Sequence, residues 1–338
     1  MANVEDLVIH FNYGEGNQKQ FYLPGETIHG TAVLHLRGSL RVHNITMYIQ
    51  GTGSVNWEVP KKKKTYIAKE IYVESSKLLL DSGFGGTINL GRGAHEFAFD
   101  YELPNDIPSS FQGVYGSVIY LLKVVVEPED ERQSTISSEP FLVLRRPPLP
   151  ESLYKETKLK KSKTFLNMCM AGDIKADVKL NKVAGIPGEN LLVNAEVTNW
   201  SAREISLIQA TLVMTSTYYA RGSQIVFNQI ISKRNDTFDV PQLKGRRWRR
   251  VKMAVPPYIP DSGLEFCKIM DVDYTFQFRV VLGGKNGHDL IIETPITVGG
   301  HPVGYAPESD AWSRLSFPLY AGNQSLTESV DGDLFDLR

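Results

Sequence analysis

Cysteine is almost absent: the 338 residues hold two, Cys169 and Cys267. Two do not make a disulfide framework, and no Cys-x-x-Cys spacing offers a metal site. Excess charge is absent too. The balance of 37 basic against 38 acidic residues leaves −1, so no global field draws the chain to nucleic acid or to an anionic membrane. No apolar run approaches the roughly 20 residues of a membrane span. The start, "MANVEDLVIHF", has no basic region followed by an apolar core, so no secretory signal is expected. The expected compartment is the cytosol, and the four Asn-x-Ser/Thr sequons (Asn44, Asn199, Asn235, Asn323) are then expected to be chance. Catalytic signatures are missing as well: no Gly-x-Ser-x-Gly, no Gly-rich phosphate loop, no His-Glu-x-x-His. The seven histidines show no metal spacing, and His29, His35 and His43 are expected at the surface. No enzyme activity, cofactor or metal is expected.

Helical stripes are also lacking. What is present is alternation with period two, the mark of half-buried strands. In "IKADVKL", Ile174, Ala176, Val178 and Leu180 face one way; in "YTFQFRV", Tyr274, Phe276, Phe278 and Val280 do; in "ITMYI", Ile45, Met47 and Ile49 share a face. Glycine and proline clusters punctuate these runs, as in all-β sandwiches.

The chain repeats itself. "PGETIHGTAVLHL" begins at Pro24 and "PGENLLVNAEVTN" at Pro187, 163 positions later. The register holds without a gap for about 25 residues, and a period as long as 163 means a duplicated domain rather than a solenoid. Ile28 matches Leu191, Ala32 matches Ala195, Leu34 matches Val197, Val42 matches Ile205, Ile45 matches Ile208 and Ile49 matches Leu212. "LPNDIPSS" at Leu103 is echoed by "VPPYIPDS" at Val255, pairing Pro104 with Pro256, Pro108 with Pro260 and Ser110 with Ser262. Each is followed by a strand opening with a tyrosine, Tyr120 or Tyr274. A motif present in both halves is expected to be a corner of the fold, stiffened by prolines that cannot join a ladder. Domains are expected at 1–150 and 171–300. The stretch from Arg145 to Lys163, proline-rich and then basic, has linker composition, so the linker is placed at 151–170, and 301–338, where alternation stops, reads as a flexible tail.

These motifs resemble the arrestin family, and within it the α-arrestins. The first half carries "YLPGETIHGTAVLHL", "GTGSVNW" and "LGRGAHEFAFDYELPNDIPSSFQGVYGSVIYLLKVVV"; the second carries "GDIKADVKLNKVAGIPGENLLVNAEVTNWSAREI" and "PPYIPDSGLEFCKIMDVDYTFQF". The similarity covers roughly residues 7 to 299, and the order and spacing of the motifs carry it. The resemblance implies an all-β chain of two tandem arrestin-like β-sandwiches with immunoglobulin-like packing. It implies an adaptor for the tails of membrane receptors or transporters, cytoplasmic and peripheral at the plasma membrane or endosomes. Many members recruit a Nedd4-type ubiquitin ligase through Pro-Pro-x-Tyr in the tail. Here the tail has no such motif; "VPPYIP" lacks the spacer and lies in a corner. The alternative is a retromer-type arrestin-fold sorting subunit held in a stable complex.

Five short stretches are candidate partner sites. "FPLY" keeps Pro318 and Tyr320 of a ligase motif. "PPLP" (Pro147, Pro148, Pro150) suits a polyproline II groove, or is a stiff linker. "DGDLFDLR" sets Leu334, Phe335 and Leu337 among acids, resembling clathrin-box and adaptor peptides, or is a charged chain end. Lys61, Lys62, Lys63 and Lys64 form a loop tip for acidic lipid headgroups, or a solvated turn. Arg246, Arg247, Arg249 and Arg250 surround Trp248 in "RRWRR", a phosphate-binding strand or a charge-protected edge. In a regular strand Arg250 and Lys252 share a face with Trp248, and Val251, Met253 and Val255 take the other. Nucleic acid is not expected, given the neutral whole and the lone aromatic. Cys267, in "EFCKI", is expected to be a buried small apolar residue.

Overall fold

A computed structural model describes residues 4–13, 20–130, 134–167, 170–201, 203–236, 244–282 and 289–302. Among them the first half folds into β1 (Val4–Asn12), β2 (Thr27–Leu36), β3 (Leu40–Val59), β4 (Lys64–Asp81), β5 (Ile88–Leu90), β6 (Gly93–Glu102), β7 (Phe111–Gln112), β8 (Gly116–Pro128) and β9 (Thr135–Phe141). The second half gives β10 (Thr157–Asn167), β11 (Met170–Leu180), β12 (Ala184–Gly185), β13 (Asn190–Asn199), β14 (Ile205–Ala220), β15 (Ser223–Asp236), β16 (Lys244–Ala254), β17 (Met270–Leu282) and β18 (Leu290–Val298).

Each half is a two-sheet sandwich. In the first, the order β1-β2-β6 faces β4-β3-β8, with β7 and β9 also on β8 and β5 on β3. In the second, β10-β11-β13-β16 faces β12-β18-β17-β14-β15. The repeat therefore superposes strand on strand: β2 on β13, β3 on β14, β8 on β17. All twelve residues matched by the repeat, from Ile28 with Leu191 to Ile49 with Leu212, are buried. So are the inward sets Ile174, Ala176, Val178 and Leu180, and Tyr274, Phe276, Phe278 and Val280. Alternation thus predicts the core face because side chains on a pleated strand point up and down in turn.

The "PGE" motifs are the turns that launch β2 and β13. Glu26 N donates to Leu23 O at 3.1 Å and Glu189 N to Ile186 O at 3.0 Å. Gly25 and Gly188 take φ of 80° and 88°, which a proline-glycine type II turn requires and which a Cβ would strain. Gly25 N then donates to Leu103 O and Gly188 N to Val255 O, tying each turn to the start of its own proline corner.

The connection between the halves is more structured than expected of a linker. Gly300 N donates to Pro147 O at 2.7 Å and Leu149 N to Gly300 O at 3.3 Å. Leu149 is buried against Ala184 and Ile186, a 3-10 turn occupies Glu151–Tyr154, and Thr157–Asn167 is strand rather than coil. Periodicity hides β10 because only one face is half covered: Thr157, Leu159, Lys163 and Phe165 are part-buried, and Lys158, Lys160, Lys161, Ser162 and Thr164 are exposed.

Candidate interaction surfaces

The two proline corners interlock. In the first, the Tyr120 hydroxyl donates to Pro108 O at 2.7 Å. Ser110 N donates to Val143 O at 2.6 Å, and Val143 N donates back to Ser110 Oγ at 3.0 Å. In the second, the Tyr274 hydroxyl donates to Pro260 O at 2.9 Å. Ser262 N donates to Val298 O at 3.1 Å, and Val298 N to Ser262 Oγ at 2.8 Å. Between these paired anchors lie Ser109 and Asp261, equivalent by the repeat, and the Ser109 hydroxyl donates to Asp261 Oδ1 at 2.5 Å. Both are fully buried.

Two arginines surround this contact. Arg145 N donates to Ser109 Oγ at 2.8 Å. Arg145 Nε stands 3.7 Å from Asp261 Oδ2, and its Nη2 is 2.7 Å from Glu265. Arg146 donates to the carbonyls of Ile259 at 3.2 Å and Pro257 at 3.1 Å. Burial pushes the Arg146 guanidinium down to about 10, against the pull of Asp261. Burial also raises the Asp261 carboxyl, more than Ser109, Arg145 and Arg146 lower it. A charge so placed is costly unless its partners stay in position. Beside it, Phe111 and Tyr115 of the first half meet Tyr218 at centroid distances of 6.5 and 5.6 Å. A third contact joins the halves where the Tyr72 hydroxyl meets Glu70 at 2.8 Å and Cys267 Sγ at 3.1 Å. Cys267 is part-buried rather than buried, packs against the edge of the core and is bonded in this junction; burial raises its thiol pKa. The proline motif is therefore a structural joint, as its repetition implies.

The basic strand departs from the regular pattern. Ala195 pairs with Trp248 and Val193 with Val251, so Asn194 stands opposite both Arg249 and Arg250. This is a β-bulge, with Arg250 at φ 50° and its N–H donating to Asn194 Oδ1 at 2.9 Å. One extra residue reverses the parity of the rest of the strand. Trp248 and Met253 consequently both point into the core, and Arg249, Arg250 and Lys252 are exposed. The four arginines do not act as one patch. Arg246 is engaged by Asp236, Nε–Oδ2 2.6 Å, and Arg247 by Glu196, Nη2–Oε1 2.6 Å.

The lysine turn holds a 3-10 turn at Pro60–Lys62, closed by Lys63 N donating to Pro60 O at 3.2 Å. Lys61, Lys63 and Lys64 are exposed, Lys64 Nζ lies 4.9 Å from the Tyr66 ring centre, and the side chain of Lys62 is outside the described set. In "PPLP", Pro148 and Pro150 are exposed, whereas Pro147 O is bonded to Gly300 N and Leu149 is buried. Cys169 and the tail residues Pro318, Tyr320, Leu334, Phe335 and Leu337 lie outside the described residues. The Asn199 sequon is internal: its amide donates to Arg203 O at 2.6 Å and accepts from Ser201 Oγ at 2.7 Å. Among the described residues no group of three His, Cys, Asp or Glu is placed to hold a metal ion, and no helix is long and apolar enough to cross a membrane.

One surface is not visible in the sequence. β1 and β11 are the same strand of the repeat, Leu7 facing Leu34 as Ala176 faces Val197. β11 carries β10 on its outer edge in an antiparallel ladder from Thr157↔Leu180 to Asn167↔Met170. No described strand lies on the outer edge of β1. The signal that could reveal it is the missing counterpart of β10 in the first half, and that signal needs β10 to be recognised as strand.

Residues 9–147 match the family model for the arrestin (or S-antigen) N-terminal domain, and residues 171–303 that for the arrestin (or S-antigen) C-terminal domain. The chain is 25% identical over 360 residues to arrestin domain-containing protein 17 of Caenorhabditis elegans, covering 99% of this chain and 77% of that protein. It is 26% identical over 311 residues to arrestin domain-containing protein 4 of Homo sapiens, covering 85% and 70%. It is 22% identical over 327 residues to arrestin domain-containing protein 1 of Mus musculus, covering 94% and 69%.

Proposed function

From the premise that the chain belongs to the arrestin family, on its α-arrestin branch, we propose that it is an adaptor that couples membrane receptors or transporters to endocytic and ubiquitin-ligase machinery. An adaptor role is what the family supports; the cargo, coat and ligase links are our extension. The observation that carries it is the outer edge of β1, on which no described strand lies. In the sister sheet the equivalent edge, that of β11, carries β10 as an extended antiparallel strand, which supports strand addition at β1. A cargo tail adding to β1 gains main-chain hydrogen bonds along its length, and alternate side chains supply selectivity.

Recruitment of the machinery falls to the tail and the interdomain connection. Pro318 and Tyr320 are assigned to a Nedd4-type ligase, and Leu334, Phe335 and Leu337 to clathrin or its adaptor. Few anchors on a short peptide bind weakly and suit reversible coat assembly. The "PPLP" segment offers a WW or SH3 groove only Pro148 and Pro150, because its backbone and Leu149 are engaged. The protein works in the cytoplasm, peripherally at plasma membrane or endosomes.

A pull-down from membrane-containing lysate tests this, comparing the full chain with one ending at Gly300. The adaptor reading expects cargo on both chains, and ligase and coat proteins on the full chain alone. A stoichiometric complex retained by both chains, without cargo, would instead make this a retromer-type sorting subunit.

A further inference from the structure

We propose that the strand accepted by β1 is a basic, unphosphorylated peptide, with Glu139 receiving a lysine or arginine that points into the mouth of the first sandwich. This rests on the reading of β1 as the cargo edge and adds the chemistry of the cargo. Charge on the strands around that edge has one sign. β1, β2, β6 and β9 contain no lysine or arginine, and they carry Glu5, Asp6, Glu96, Asp100, Glu102 and Glu139. Arg37 engages Glu5 at 3.5 Å and Lys77 engages Asp100 at 2.9 Å. Among the described residues no ion pair engages Asp6, Glu96, Glu102 or Glu139. The sister edge is the reverse: β10 alone holds Lys158, Lys160, Lys161 and Lys163.

Strand parity places Glu139. Phe141 pairs with Tyr120, Glu139 with Leu122 and Ser137 with Val124, and those partners on β8 are buried. Residues opposite each other in a sheet share a face, so Glu139 has the core-facing parity of Phe141 and yet is exposed. β9 lies beside β1, and there the Phe11 ring is 5.8 Å from that of Phe141 and 6.1 Å from that of Tyr13. Burial and the Glu139 charge together raise the Tyr13 phenol, which sets the carboxylate near that ring. Tyr22, buried and stacked on Tyr13 at 5.1 Å, has a hydroxyl with no hydrogen-bond partner among the described residues. A carboxylate, an open phenol oxygen and aromatic faces in one place suit a cation, which gains a charge-assisted hydrogen bond and a cation–π contact.

The second sandwich supplies the template. Matching Tyr274 with Tyr120 sets Thr294, Ile292 and Leu290 of β18 where β9 has Glu139, Ser137 and Thr135. Ile292 and Leu290 are buried. β10 lies beside β18 and turns Leu159 and Phe165 to the core. Lys161 shares their parity, and its Nζ donates to Ile291 O at 2.8 Å. A strand in this position can therefore direct a lysine across the mouth to the opposite strand. At β1 the opposite strand offers hydroxyls and a carboxylate in place of an apolar pair. An inward apolar side chain would desolvate them, whereas an inward cation pairs with Glu139. A phosphorylated segment would bring like charge against Asp6 and Glu139, with no lysine or arginine on these strands to receive it.

The test uses the full chain and fluorescently labelled peptides of the length of β10 that alternate threonine with lysine, with glutamate or with phosphoserine. The lysine peptide should bind and slow hydrogen exchange over residues 4–12, and the other two should not. Glu139→Gln should weaken its binding roughly fivefold with an unchanged melting temperature, because the side chain is exposed. Adding Asp6→Asn should weaken it further. Glu102→Gln, on the strand at the far side of the sheet from β1, should bind as the wild type does. Glu139→Lys should turn the preference toward the glutamate peptide. Equal binding of the lysine peptide by wild type, Glu139→Gln and Glu139→Lys, with 4–12 protected, overturns the proposal and leaves β1 as the cargo edge. So does tighter binding of the phosphoserine peptide with 4–12 protected. If no peptide of any charge protects 4–12, the cargo edge itself is misplaced and both readings fall.

Discussion

The two sandwiches share a core and differ at their margins. Ile28, Ala32 and Leu34 in one are Leu191, Ala195 and Val197 in the other, all buried. Yet β11 is covered by β10 while no described strand covers β1; β16 is bulged and β6 is not; and one corner offers Ser109 where the other offers Asp261. Packing constrains the inside of both copies to the same pattern. Edges, outer faces and the joint between the copies are free to diverge, and the proposed adaptor edge, β1, is one of these margins.

The corner is where the copies are least interchangeable in energy. Asp261→Ala leaves Arg145 and Arg146 without their buried carboxylate and should cost about 3–5 kcal/mol. Ser109→Ala, at the equivalent position, takes a hydrogen bond from the Asp261 acceptor and another from the Arg145 N–H donor and should cost about 1–3 kcal/mol. Denaturant unfolding reads both, and equal costs would erase the asymmetry claimed for the joint. Phe111→Ala removes a buried ring that reaches Tyr218 in the other sandwich and should cost about 3–5 kcal/mol. A variant that keeps its melting temperature but loses cargo would make Phe111 a binding residue instead. By contrast Tyr120→Phe and Tyr274→Phe remove the same bond from the same place and should lose similar amounts, about 1–3 kcal/mol each. A large gap between them in thermal melts would break the symmetry of the corners.

Smaller effects probe the bulge and the buried acid. Arg250→Gly relieves a positive φ at the bulge and should stabilise by about 0.5–1 kcal/mol, while Arg249→Gly should not. A melt that ranks them the other way would misplace the bulge. Because burial holds the Asp261 carboxyl above its ordinary range, the folded chain takes up that proton more readily than the unfolded one. Its contribution to stability therefore improves as pH falls from neutral toward about 4, and is lost as pH rises through the raised value. The melting-temperature difference between wild type and Asp261→Asn should move in favour of the wild type over that interval; a flat difference would mean that the acid is not desolvated.

Much of the interior is legible in the sequence. Period-two alternation and the 163-residue offset name the core faces and the duplicated corners, because those patterns come from local geometry. The outward face of β16 is not, since a single inserted residue flips parity and no local signal in "RRWRRVKMA" announces it. β10 has the composition of a linker because its lysines mask a half-covered strand. The salt bridges that tie down Arg246 and Arg247 come from Asp236 and Glu196 on other strands, beyond any local reading.

Hydrogen exchange at β1 and β11 tests the central contrast most directly. In the free full chain, β11 amides should be protected on both edges, and β1 amides facing outward should exchange far faster. Addition of the cytoplasmic tail peptide of a cargo recovered by pull-down should slow exchange in alternate residues of 4–12 and leave 170–180 unchanged. Equal protection of β1 and β11 in the free chain, or peptide protection anywhere but β1, would contradict the account.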